Sequence, residues 1–122
     1  MTPAALQAVL DALPGAVAEP FTPPRGAEPL SLLYKVGGKM FAVMTLRGAL
    51  YVVIKAPPFV CDMLREHYSG VGKRTHLDPR HWVAIDLDSD VPDDEIASRA
   101  RSAYELVRDS LSKAKRAALG AG

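Results

Sequence analysis

Cysteine is nearly absent: among 122 residues there is one, Cys61. That excludes an internal disulfide framework and a four-cysteine zinc site. An excess of either charge is missing too, with 15 Lys and Arg against 14 Asp and Glu and a net charge of +1. Such a chain does not coat polyanions indiscriminately, as a histone-like protein does. No apolar run approaches the ~20 residues of a membrane helix, and no basic segment followed by an apolar stretch opens the chain as a secretory signal would. What is there is ordinary: 48% hydrophobic and 24% charged residues, the composition of a globular domain. A chain of this length buries roughly two-thirds of its unfolded surface, enough for a core without staples. The expectation is one cytoplasmic domain over residues 1–122, monomeric and away from membranes.

The N-terminus predicts a helix capped by Thr2, with Pro3 at the first position and Leu6, Val9, Leu10 and Leu13 on one face. Pro14-Gly15 ends it. Residues 15–29 contain Pro20, Pro23, Pro24 and Pro29 and predict an irregular loop, or a weak edge strand around Phe21. Three apolar runs follow, Leu30 to Val36, Lys39 to Leu46 and Leu50 to Lys55. Gly37-Gly38 and Arg47-Gly48-Ala49 join them, so they predict an antiparallel meander. In the second run Met40, Ala42 and Met44 alternate with Phe41, Val43 and Thr45, which predicts a central strand with one face half wet. Val60, Met63 and Leu64 predict a helix from Phe59 to His67, and Trp82 to Leu87 predicts one more strand. The last helix has Pro92 in its first turn and an apolar stripe through Ile96, Ala100, Ala103, Val107, Leu111 and Ala114. Asp93, Asp94 and Glu95 at its start and Lys113, Lys115 and Arg116 near its end match the helix dipole. Residues 117–122 read as a frayed tail. The order predicts an α+β sandwich.

The near-neutral total hides a segregation. No acid lies between Glu28 and Asp62, where Lys35, Lys39, Arg47 and Lys55 fall. Lys73, Arg74 and Arg80 follow, diluted by Asp78. Asp86, Asp88, Asp90, Asp93, Asp94 and Glu95 then run without a base between them. A dipolar surface is expected. Basic hairpins can lie along a nucleic-acid groove, or simply keep sheet edges solvated.

Side chains suited to chemistry form no convincing set. His76, Asp78 and His81 could ligate a metal, but Pro79 breaks their register and no further ligand is near in sequence, so they read as loop anchors. Cys61 has no nucleophile motif around it and reads as a packed thiol. Gly70-Val71-Gly72-Lys73 and Gly37-Gly38-Lys39 lack the spacing of a phosphate loop. Trp82 is either a base-stacking platform or part of the core.

Four segments in order resemble the MmcQ/YjbR family of small bacterial proteins: Val36 to Ala42, His76-Leu77-Asp78-Pro79-Arg80-His81-Trp82, Pro92 to Ile96, and Ser102-Ala103-Tyr104. The resemblance runs from the first helix to about Leu111. It implies a CyaY-like α+β fold, helices packed on one face of an antiparallel sheet, and a double-wing DNA-binding protein. The chain departs from the family at Asp78 and Pro79, where Asn-Lys is frequent, which removes a lysine and adds an acid. Frataxin-like iron handling, which the fold also suggests, needs a ridge of carboxylates; the first helix offers Asp11, with Glu19 beyond it. The expected function is DNA binding without catalysis, cofactor or metal. The expected phosphate contacts are Lys35, Lys39, Arg47, Lys55, Lys73, Arg74, Arg80 and His81. A protein-interaction module is the alternative, because a fold does not fix a function.

Overall fold

In the computed structural model, residues 1–26, 28–72 and 76–119 are described. Thr2 caps α1 (Pro3–Asp11) by accepting the Ala5 N–H, and Leu6 and Leu10 face inward. β1 is Ala16–Phe21, β2 Ser31–Val36, β3 Lys39–Thr45 and β4 Tyr51–Lys55. Helix α2 (Pro58–His67) leads to β5 (Val71–Gly72) and β6 (Trp82–Asp86), and α3 (Asp93–Asp109) and α4 (Lys113–Ala118) close the chain. The six strands form one antiparallel sheet in the order β1-β2-β3-β4-β6-β5. The expected α+β class is the observed one.

Alternation sorts the strands into two faces. Leu32, Tyr34 and Val36 of β2, Val52 and Ile54 of β4, and Val83 and Ile85 of β6 point into one core. Leu6 and Leu10 of α1, Cys61 and Leu64 of α2, and Ile96, Ala100, Tyr104 and Val107 of α3 fill the same core. The other face carries Leu33, Val43, Tyr51 and Val53. The meander turns where glycine allows it: Gly37 and Gly38 have φ of 58° and 82°, the two positive values of a tight hairpin turn.

Several details differ from the sequence expectation. Of the two expectations for residues 15–29, the edge strand is the one observed for 16–21, longer than the neighbourhood of Phe21: β1 pairs with β2 from Ala16↔Val36 to Phe21↔Ser31. An edge position tolerates Pro20, which has no N–H to donate; irregular chain begins at Thr22. In β3 the register shifts: Tyr34 opposes Ala42 but Lys35 opposes Met40. Phe41 is the extra residue of a β-bulge. The bulge takes it out of alternation and buries it completely, against Tyr34 and edge-on to Tyr104 at 5.6 Å. The inward face of α2 is Cys61 and Leu64, while Phe59 is 72% and Met63 44% exposed. Pro92 is the N-cap of α3 rather than part of its first turn. The single long C-terminal helix is two, broken at 110–112, with Ser112 capping α4 through the Lys115 N–H. Ala117 and Ala118 complete α4 instead of fraying, and Leu119 packs on the core. Gly120 to Gly122 lie outside the described residues.

Candidate functional site

Strand register turns the segregated charges of the sequence into two ends of one molecule. Val36 opposes both Ala16 and Lys39, and Lys55 opposes Trp82, so Lys35, Lys39, Lys55, His81 and Trp82 share one end of the sheet. At the other end Tyr51 opposes Asp86. Asp88 and Asp90 continue from there into the acidic first turn of α3. Helix α3 then runs back. Its Tyr104 hydroxyl donates to the Pro14 carbonyl, and Leu111 lies under Gly37. Helix α4, with Lys113, Lys115 and Arg116 exposed, therefore sits at the same end as Lys39 and Lys55, where Leu119 abuts Gly15.

Not every expected cation is free to act. Lys35 pairs with Glu19 across the β1–β2 ladder at 2.9 Å. Arg47 lies at the far end, where its guanidinium donates to the carbonyls of Pro29 and Glu28 and ties down the preceding loop. Arg80 is held by Asp78 at 3.1 Å, and the Arg80 side chain and N–H keep the Asp78 carboxyl below the usual carboxylate range. Lys39 and His81 are exposed and have no ion-pair partner among the described residues. Lys73 and Arg74 lie outside the described residues.

Lys55 and Trp82 belong to a built feature. The Lys55 ammonium stands 5.9 Å from the Trp82 ring centroid, within cation–π range. Beside them opens a cleft of about 460 Å³ walled by Pro57, Pro58, Trp82 and Leu106, with Lys55, Asp78, His81 and Ser110 also lining it. A second lobe of about 330 Å³ shares Lys55, Ala56, Pro57 and Leu106 with it. The loop that presents His81 and Trp82 is pinned from α2. Arg65 donates to the carbonyls of Pro79 at 2.6 Å and Trp82 at 2.7 Å. The His81 carbonyl accepts the Ala56 N–H. Asp78 closes the turn by accepting the Arg80 N–H. The loop is anchored by Arg65 and Asp78, and the exposed His81 contributes its backbone.

The remaining candidates have structural duties. Cys61 is buried, with its thiol toward the Ala56 carbonyl, and burial pushes that thiol up, away from the reactive thiolate. Asp90 accepts the N–H groups of Gly70 and Ser69 and is held below the usual carboxylate range by them. Among the described residues no three His, Cys, Asp or Glu side chains gather as metal ligands would. Among the same residues no helix is long and apolar enough to cross a membrane.

Two contributors escaped sequence reasoning. The cations of α4 read as dipole partners of one long helix, because a break at Ser110 and Ser112 carries no Gly or Pro. Arg65 carries no signal in the sequence, because its two acceptors lie 14 and 17 residues away.

Comparison with known proteins places the chain among relatives. The YjbR family model matches residues 11–106. The uncharacterized protein YjbR of Escherichia coli K12 is 30% identical over 83 residues, which cover 67% of this chain and 70% of that protein. The crystal structure of Deinococcus radiodurans protein DR2400, of domain family DUF419, superposes with a TM-score of 0.83 at 29% identity, covering 98% of this chain and 88% of that one. A protein from Pseudomonas syringae shares the fold at 16% identity, with a TM-score of 0.71 over 87% of this chain and 98% of that one.

Proposed function

The chain belongs to the YjbR family, and within it we propose a DNA-binding protein that performs no covalent chemistry and contacts phosphates with its basic end. Lys39, Lys55, His81, Lys113, Lys115 and Arg116 make the contacts; Lys73 and Arg74, outside the described residues, remain the other two expected contacts. One observation carries this: Lys39, Lys55, His81 and the α4 cations, none with an ion-pair partner among the described residues, lie toward one end of the sheet, and the Asp86–Glu95 run lies at the other. A net charge of +1 attracts DNA only weakly, but a separated charge presents a locally positive surface. Lys35, Arg47 and Arg80 have smaller parts, because their charges are already engaged.

The test is a titration of labelled duplex DNA at several salt concentrations. Each neutralised phosphate contributes a slope of about −0.9 in log affinity against log salt. Replacing Lys39, Lys55 and Lys115 together by Ala should flatten the slope by roughly two to three units. Replacing Lys35 and Arg80 should change it far less. Absence of binding at low salt would overturn the proposal. In that event the second reading, a protein-docking module, stands on a different feature. It is the helix-free face of the sheet, where Phe21, Leu33, Met40, Val43 and Leu77 line an apolar groove of about 520 Å³.

A further inference from the structure

The cleft at the basic end is more than a patch of charge. Its walls are the Trp82 indole, Pro57, Pro58 and Leu106, flat or apolar surfaces of the kind on which a base stacks. It is an open cleft, and its volume of about 460 Å³ is enough to receive a planar ring from the surface. Lys55, 5.9 Å from the indole centroid, and His81 stand at this opening, placed to meet a phosphate once a ring is inside. The loop that sets Trp82 is held by Arg65 and Asp78 before any ligand arrives. A base stacked and paired within a duplex cannot reach such a cleft; it must be unpaired or extruded.

We propose that the cleft between Trp82 and Leu106 houses one unpaired nucleobase, so that the protein's preferred ligand is single-stranded nucleic acid. The inference rests on the phosphate-contacting role of the basic end and specifies which nucleic acid that end takes. Phosphates on either side of the housed base run over Lys55 and His81 toward Lys39 and α4. Base stacking adds an affinity that salt does not screen, on top of the electrostatic part that a duplex also receives.

Trp82 is the one tryptophan of the chain, so its emission reports the cleft directly. Oligothymidylate of roughly 12 nucleotides, a length common for single-strand grooves, is titrated beside an oligoadenylate–oligothymidylate duplex of equal length. The single strand should quench Trp82 emission and bind about tenfold tighter than the duplex at the same salt. Leu106 is 38% exposed on α3, so Leu106→Ala removes that wall of the cleft and adds no ring on which a base could stack. By anisotropy of labelled oligonucleotides, that variant should lose the about tenfold preference and keep wild-type duplex affinity. Equal affinity for the two forms with unquenched emission, or a preference that survives Leu106→Ala undiminished, would overturn the base-housing cleft and leave the phosphate role intact. No binding of either form at low salt would overturn both.

Discussion

At Tyr34 a fully buried phenol donates to the exposed carboxylate of Asp11 at 2.9 Å. Burial, and then the Asp11 carboxylate, push its ionisation well above the ordinary value. The unfolded chain would ionise near pH 10 while the folded chain keeps the proton, so folding stability should fall as the pH rises beyond about 10. Tyr34→Phe should cost about 1 kcal/mol at neutral pH and remove much of the alkaline decline; urea unfolding at about pH 7 and pH 11 measures both. Arg65 is the second test at this scale. Its side chain is 14% exposed, and Arg65→Ala leaves the part-buried Trp82 carbonyl without its donor and unties the exposed Pro79 carbonyl. A loss of about 2–3 kcal/mol is expected, with Trp82 emission shifted to the red as its loop loosens. Unaltered emission would mean that the loop holds itself. Residue chemistry was legible only where partners sit close in sequence. Asp78 beside Arg80 was visible as diluted charge. Glu19 beneath Lys35, and the Glu28 carbonyl beneath Arg47, needed the sheet to bring them together.

Among the elements, the hairpin between β2 and β3 offers the sharpest comparison. Gly37 and Gly38 both have positive φ, a conformation that costs an alanine about 1 kcal/mol. They differ in surroundings. A Cβ on Gly37 would stand 2.5 Å from the Leu111 side chain, whereas one on Gly38 meets nothing within 4 Å. Gly38→Ala should therefore cost about 1 kcal/mol and Gly37→Ala about 2–3 kcal/mol, read as shifts in the unfolding midpoint. Equal costs would mean that Leu111 yields freely. The meander, α1 and α2 were readable because periodicity and glycine placement agree there. β1 was obscured by Pro20, which an edge strand tolerates. β5 is two residues long and has no period to read. The bulge at Phe41 exists only as a mismatch between two strands, and no single strand displays it.

For the molecule as a whole, the α+β class and the charge segregation were both legible, since each is a property of order along the chain. The alignment of the charges with the strand axis was not, because it needs the register Lys55↔Trp82 and the return of α3 across the sheet. The family resemblance implied helices on one face of the sheet, and α1, α2 and α3 do share one core, leaving the face of Leu33 and Val43 without a helix among the described residues. Strand patterning by itself showed that second face only as the half-wet side of β3. The cleft is assembled from β4, α2, the 78–82 loop and α3, and no local pattern announces a wall drawn from four elements.

A molecule with a basic end and an acidic end should also attract its own copies. With a net charge of +1 there is almost no overall repulsion to keep copies apart, so the basic end of one can meet the Asp86–Glu95 end of the next. Such a head-to-tail contact uses two different surfaces, so it has no reason to close and can grow into chains. Each contact is exposed to solvent, so the chains should be loose, and they should dissolve once the Debye length shrinks to about 8 Å near physiological salt. Light scattering should therefore rise on dilution into low-salt buffer and fall again on adding salt. Replacing Asp88 and Asp94 by Asn should suppress the rise. Scattering indifferent to salt would mean that the two ends do not find each other. The same contact would occupy the basic end at the lowest salt concentrations, where DNA would otherwise bind most tightly.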